Sequence, residues 1–321
     1  MYIHTLYFII LQKNKHTNTG NPKHNCLYLI KTNKPIKKLI MRQLTNTMIM
    51  AIAVVISFCF ASCNKIDGNG EVITHEMNVS QFDGISLRSV LDATIIYSDH
   101  YKVVIEAESN IMPYIITEVK NKTLILRMKP NMSFRTFKDI KATVYCKNLK
   151  EIATSGTGDI FAEEIVCSDR LDISTSGAGN VEIRNISECP KIKLGISGSG
   201  KIKIGRAVCD DCDINISGAG NCNINNFVVG KLNTNLSGAG DVSLAGECNS
   251  AKLKMSGAGK YCAYELNTNQ YDINISGVGN AMVTATDDLT VKLSGAGNVY
   301  YYGNPQLNVS SSGVGKVINK N

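Results

Sequence analysis

The chain has 321 residues, 27 of them glycine and 11 cysteine, and a formal charge of +7. All of the positive excess lies ahead of Cys63: Lys13, Lys15, Lys23, Lys31, Lys34, Lys37, Lys38 and Arg42 are accompanied there by no acid, and without these eight the charge falls from +7 to −1 for residues 64–321. A nucleic-acid surface is therefore excluded as the meaning of the basic pI, since the charge that would meet phosphates belongs to a leader.

Residues 1–62 read as leader and signal peptide, with Met41 as an alternative start. Met48 to Phe60 is an apolar run of 13 residues, too short to span a bilayer and of the size of a secretory h-region. It runs into Phe60-Ala61-Ser62-Cys63, which resembles a bacterial lipobox with Phe60 in place of the usual Leu. That resemblance makes Cys63 the lipidation site and the membrane a partner through a lipid anchor. The alternative is an ordinary signal peptide with an incidental cysteine. Residues 63–71 are polar and contain glycine, as a lipidated tether would.

Residues 72–148 alternate as strands do, with candidates at Ile85 to Leu87, Ala93 to Tyr97, Val103 to Ala107, Tyr114 to Val119, Thr123 to Met128 and Lys141 to Cys146. Asn121-Lys122 is placed as a hairpin turn, and Pro113 limits any helix at 110–114 to one turn. A stacked repeat needs its first edge covered, so this region is expected to be a β-rich cap.

Residues 149–318 repeat. The phrase Ser-Gly-x-Gly occurs nine times, with serines at Ser155, Ser176, Ser197, Ser217, Ser237, Ser256, Ser276, Ser294 and Ser312, at spacings of 21, 21, 20, 20, 19, 20, 18 and 18 residues. Three positions ahead of the serines stand Ile152, Ile173, Leu194, Ile214, Thr234, Leu253, Ile273, Val291 and Val309, an almost wholly apolar column. A unit of this length cannot bury its apolar face alone, so units must stack and pair each strand with its equivalent in the next. The expected fold is all-β, a parallel β-helix of coils of about 20 residues, with a rod segment about 40 Å long at roughly 4.8 Å per coil. The connections are too short for crossover helices, which excludes a doubly wound α/β sheet. Ser176, Gly177, Gly179, Ser217, Gly218, Gly220, Ser237, Gly238 and Gly240 are expected as structural corners, the glycines serving both φ > 0 and close backbone approach.

Phe82-Asp83-Gly84-Ile85, Val103-Val104-Ile105-Glu106-Ala107 and the run from Ile115 to Leu124, followed by repeated Ser-Gly-Ala-Gly-Asn or Asp, resemble the family called putative autotransporter adhesin, head GIN domain. The likeness covers residues 72–317. It implies a right-handed single-stranded β-helix in a Bacteroidetes-type envelope lipoprotein, at the outer membrane on its periplasmic face or the cell surface. No β-barrel translocator pattern follows the repeats, so export through an attached barrel is not expected.

Chemistry-bearing residues are sparse in the repeats. Cys146, Cys167, Cys189, Cys209 and Cys248 share one place in the unit and are expected to stack as an interior column of thiols, with a redox site or disulfide as the alternative. Cys209-x-x-Cys212 has no matching pair, so neither a metal nor a cofactor is expected. The column four before the serines (Glu151, Asp172, Lys193, Asp213, Asn233, Lys252, Asp272, Thr290, Asn308) mixes signs, as lateral salt pairing would select. Asp210, Asp211 and Asp213 are expected as a solvated corner. Asn180, Asn221, Asn280 and Asn298, with Asp159 and Asp241, follow the glycines and are expected to bond to one another and to the next rung's backbone; the alternative is contact with a sugar or protein through the side-chain amides. Tyr300, Tyr301 and Tyr302, with Tyr261, Tyr264 and Tyr271 near in the repeat, form the candidate contact surface; the alternative is filling of the last coils. These features predict a non-catalytic envelope protein with an adhesin-like role toward a glycan or protein surface. A polysaccharide-acting enzyme and a structural component that pairs with another copy are the alternatives.

Overall fold

The computed structural model describes residues 65–187 and 189–321. Cys63, expected as the lipidation site, and residues 1–62, expected as leader and signal peptide, lie outside the described residues. The body is a parallel β-solenoid of about eight turns, as the repeat requires. Between residues 201 and 293 the chain runs as five long strands, Lys201–Ile216, Asn221–Leu236, Val242–Met255, Lys260–Ile275 and Asn280–Leu293, each interrupted only at a Ser-Gly-x-Gly corner. Neighbouring strands pair in parallel and in the expected register, with Asp213 beside Asn233, Asn233 beside Lys252 and Lys252 beside Asp272.

Each coil has three sides, and the alternation of burial shows where it bends. In Lys201–Ile216 the buried residues are Ile202 and Ile204, then Ala207 and Cys209, then Cys212, Ile214 and Ile216. The step of two becomes a step of three twice, at Gly205-Arg206 and at Asp210-Asp211. A strand that must keep one face inward has to turn wherever its period slips. The Ser-Gly-x-Gly phrase makes the third corner. Shorter coils lose residues at the first of these bends: the register shifts between Ile224 and Phe227, between Ser243 and Ala245, and between Ala263 and Asn267.

The corner glycines are required for one of the two expected reasons only. Among the described glycines φ is positive at Gly70, Gly246 and Gly303 and at none of the phrase positions, so left-handed backbone is not what selects them. Close approach is: a Cβ on Gly177, Gly218 or Gly238 would overlap the carbonyl oxygen of the glycine one coil below, and one on Gly179, Gly220 or Gly240 would do the same. That carbonyl is there because the ladder continues through the corner. Ala178 N donates to Gly156 O at 3.0 Å, Ala219 N to Gly198 O at 3.0 Å and Ala239 N to Gly218 O at 3.0 Å. The serines Ser176, Ser217 and Ser237 face solvent.

The N-terminal cap contains all six expected strands. Asn121 and Lys122 take positive φ (52° and 60°) in the hairpin between Ile115–Lys120 and Thr123–Met128, and Pro113 sits in a single 3-10 turn, Met112–Tyr114. The cap also contains a strand the pattern did not mark, Val72–Asn78, antiparallel to Lys102–Glu108. Spatial order departs from chain order. Gly84–Leu87 and Asp92–Tyr97 form a coil sandwiched between Thr123–Met128 and Lys141–Cys146 on one side and Glu151–Thr154 and Ile160–Val166 on the other. Gly156 stacks on Ser89 of this coil and Gly158 on Leu91. The coil's own corner can carry those side chains because residues 129–140 beneath it make an excursion instead of a corner.

Residues 65–71, expected as tether from their polar composition, are held against the cap. Lys65–Asp67 pairs with Ser133–Arg135, and the buried Glu108 carboxylate accepts Gly70 N at 2.6 Å and Phe137 N at 3.0 Å. Only Ile66 turns toward the core here, so no alternation was visible to mark the strand.

Candidate functional site

The asparagines after the corners form a ladder that locks rung to rung. The Asn180 side-chain carbonyl accepts Lys201 N at 3.1 Å while Asn180 N donates to Asp159 Oδ1 at 2.8 Å. Asn221 accepts Asp241 N, Asp241 accepts Lys260 N, Asn280 accepts Asn298 N and Asn298 accepts Lys316 N, all between 2.8 and 3.0 Å. Each carboxylate or amide oxygen supplies an acceptor to the first N–H beyond the corner. The Asn180 and Asn298 amides also donate, to Asp159 and Asn280, so the ladder's acceptors serve the stack.

The thiol column is interior, with one break and one bond. Cys146 does not stack under Cys167, because Tyr97 pairs with Cys146 and its coil intervenes. Cys167 and Cys189, with Cα atoms 4.8 Å apart, form a disulfide, the alternative that parallel side chains made less favourable. Cys209, Cys212, Cys222 and Cys248 are free and buried. Burial pushes the thiols of Cys146 and Cys222 up to about 12 and that of Cys248 up to about 11, while a hydrogen bond donated to Cys209 and burial raise Cys212. Such thiols hold their protons at neutral pH and behave as small apolar side chains.

The six tyrosines do not share a surface. Tyr261 and Tyr271 are core residues, 0% and 2% exposed, with hydroxyls 2.7 Å apart. Tyr301 is in register with buried Val283 and packs on the end of the core, whereas Tyr300 and Tyr302, in register with Met282 and Thr284, point outward. Tyr302 stacks obliquely on Tyr264, ring centroids 6.5 Å apart, and Lys320 lies over Tyr300. The candidate contact surface therefore contracts to Tyr264, Tyr300 and Tyr302. The three consecutive tyrosines expected as one surface are thus split, because consecutive residues of a strand face opposite ways.

The acids fall among bases and amides. Asp211 lies between Lys191 and Lys231 on adjacent rungs, and Asp213 between Lys193 and Asn233. No group of three His, Cys, Asp or Glu suited to a metal occurs among the described residues. The cross-rung ion pairs expected in the column four before the serines lie on another side of the coil instead, at Arg184–Glu163 (3.3 Å) and Lys203–Glu182 (2.9 Å). In the expected column Asp213 accepts the Asn233 amide at 3.0 Å.

The side that ends at the serine corner carries the most uniform outward surface. Its column two before the serines reads Ser174, Gly195, Asn215, Asn235, Lys254, Asn274, Lys292 and Ser310 in successive coils, and it contains no carboxylate. Beside the charged column it borders a shallow concavity of about 470 Å³. A larger one, about 810 Å³, lies over another side, with exposed Val208 and Val228 and with Asp210 and Glu247 in its lining.

A capped parallel β-solenoid with regular polar sides is the class this architecture defines. The family model described as "Putative auto-transporter adhesin, head GIN domain" matches residues 81–245 and 207–305, and the chain belongs to that family. Among solved structures it is similar to one described as a putative lipid binding protein from Parabacteroides distasonis, at 26% identity and TM-score 0.63, over 80% of this chain and 100% of the other. Proteins described as putative adhesins from Parabacteroides merdae (22% identity, TM-score 0.62, 81% and 100% covered) and Parabacteroides distasonis (21%, 0.65, 80% and 100%) share the fold. No curated protein matches the chain.

Proposed function

We propose that this protein is a lipid-anchored component of the cell envelope, held at the outer membrane through Cys63, whose solenoid binds an external ligand without catalysis. The observation that carries this reading is the register of the outward columns. Outward polar side chains stand in register on every rung, roughly 4.8 Å apart, as from Asn215 through Asn235, Lys254 and Asn274 to Lys292, so an extended ligand meets several weak contacts at once and gains avidity from their number. Hydrolysis or elimination on a sugar needs two groups of separated pKa, or a metal and a base, within a few Å of the bond. The acids here are interleaved with lysines and amides of neighbouring rungs, as at Lys191, Asp211 and Lys231. Relatives described as adhesins point the same way.

Screening the purified protein against glycans and envelope extracts tests binding. Turnover of a polysaccharide that is lost on changing Asp210, Asp211 or Asp213 would replace this reading by an enzyme. Anchoring is tested separately: Cys63→Ser is expected to move the protein from the membrane to the soluble fraction, and unchanged fractionation would place the anchor elsewhere.

One observation favours a second, compatible role in self-association. Gln306–Ser311 is exposed throughout, with Leu307 and Val309 43% and 42% exposed although Leu289 and Val291 beneath them are fully buried. The strand carries no charge, the usual guard of an open edge. Antiparallel pairing with a second copy about Asn308 would set Leu307 against Val309 and keep both inward. Light scattering is expected to show a dimer that Val309→Lys dissociates; a parent that is monomeric at high concentration would count against it.

A further inference from the structure

We infer that the side of the solenoid between Lys252 and Lys292 is a binding strip for an extended acidic polysaccharide, a glycan bearing carboxylates or sulfates at intervals along its chain. The inference rests on the binding role proposed above and assigns it a place and a ligand class.

Lys252, Lys254 and Lys292 are all exposed on this side. Lys254 pairs with Asn274, and Asn274 with Lys292, so two ammonium groups stand two rungs apart, about 10 Å, with an amide between them. Among the described residues none of the three lysines makes an ion pair, in contrast to Lys203 and Arg184 on another side. The Asn274 side chain makes no hydrogen bond there either, whereas the Asn235 amide is already spent on Asn215 at 3.0 Å. Two carboxylates share the concavity with the three lysines: Asp272, next to Lys252 in the neighbouring column, and Asp213, two rungs from Lys252 and already accepting the Asn233 amide. Donors without partners, spaced along a straight and shallow concavity, suit a linear ligand with sparse negative charge and many hydroxyls.

The same geometry argues against other polyanions. Duplex DNA carries one charge per about 1.7 Å of axis and binds through many simultaneous phosphate contacts, and single strands need aromatic platforms. This side has three lysines and no aromatic residue. A membrane surface calls for apolar side chains beside the basic ones, and the outward residues around these lysines are Asn, Asp, Thr and Ser. The larger concavity is disfavoured for an acidic ligand because Asp210 and Glu247 line it with no lysine or arginine beside them.

Calorimetric titration of the purified full chain with polygalacturonate and with heparin, against neutral dextran, tests the assignment. Saturable binding to at least one acidic polymer is expected, weaker at higher salt and not matched by dextran. The double variant Lys254→Glu, Lys292→Glu should weaken it at least tenfold, and Lys254→Gln, Lys292→Gln by less. Lys203→Gln, on another side, should leave it unchanged. Far-UV circular dichroism and melting temperature of each variant report whether the fold is kept, and the Gln pair supplies the result should the Glu pair fail to fold. Failure of both acidic polymers to bind, equal binding of dextran, or a folded double variant that binds like its parent would overturn the inference. So would binding of phosphatidylglycerol vesicles or of an oligonucleotide in place of the glycans. A ligand found on another side of the solenoid would overturn this assignment and leave the binding role standing; a screen with no ligand at all would remove both.

Discussion

Gly238→Ala is expected to destabilise the solenoid by on the order of 3 kcal/mol or more, although it adds a single methyl group. The added carbon would sit on the Gly218 carbonyl oxygen and close to that of Ser217. Neither can retreat, because Ala239 N and the corners above and below are tied into the same ladder at about one rung spacing. The strain would have to open the ladder locally, and in a stack where each coil touches only its neighbours that opening interrupts the propagation of order. Gly218→Val should be at least as severe. Gly195→Ala is the control: it lies in mid-strand with its nearest neighbour 3.8 Å from the new carbon, so its change should be within about 1 kcal/mol and of either sign. Asn235→Ser, on the exposed side, should be near neutral. Urea unfolding of the set decides it, and equal losses at Gly195 and Gly238 would refute the stacking account.

Tyr261→Ala should cost about 3 to 5 kcal/mol, the range for removing a fully buried aromatic side chain. Tyr261 is the largest of the fully buried side chains. Its ring stands edge-on to Tyr271 at 6.5 Å between centroids, and the room for the pair comes from small neighbours in register, Ala281 above Tyr261 and Ala251 below Tyr271. Tyr261→Phe keeps the packing but strands the Tyr271 hydroxyl, so a loss of about 1 to 3 kcal/mol is expected, with much of it recovered when Tyr271→Phe is added. Burial holds both phenols above the ordinary value of 10.0. The unfolded chain therefore releases these protons first as pH rises. The stability they contribute is complete below about pH 10 and falls above it, and the fall should be shallower in the double Phe variant. Unfolding midpoints from pH 7 to 11 would check this; an unchanged alkaline slope in the double variant would show that other groups govern it.

The repeat made most of the fold legible before any coordinates. A period of about 20 residues with apolar residues two apart leaves stacking as the only way to bury the apolar face, and the stacking then fixes the register: the column of Asp213, Asn233, Lys252 and Asp272 could be written down from the serines alone. The grouping of Tyr300, Tyr301 and Tyr302 as one surface did not survive, because consecutive residues of a strand face opposite ways and Tyr301 turns to the core.

What the sequence could not supply were contacts between segments whose spacing carries no period. In the cap, chain order and spatial order differ, so the coil of 84–97 separates Cys146 from Cys167 and breaks a column that looked continuous. The polar residues 65–71 hold their place through Glu108, a buried acid on a distant strand, and no local pattern announces such a partner. The demand for glycine at the corners was visible, but which of its two expected causes applies was not: φ is a local property and is ordinary there, while the obstructing carbonyl belongs to a residue about 20 positions away and is brought underneath only by the stack. The charged outer columns behave the same way. Sequence put lysine, aspartate and asparagine on the outside, and only the three-sided coil decided which of them meet a partner on the next rung and which, like Lys254, Asn274 and Lys292, are left facing solvent along one side.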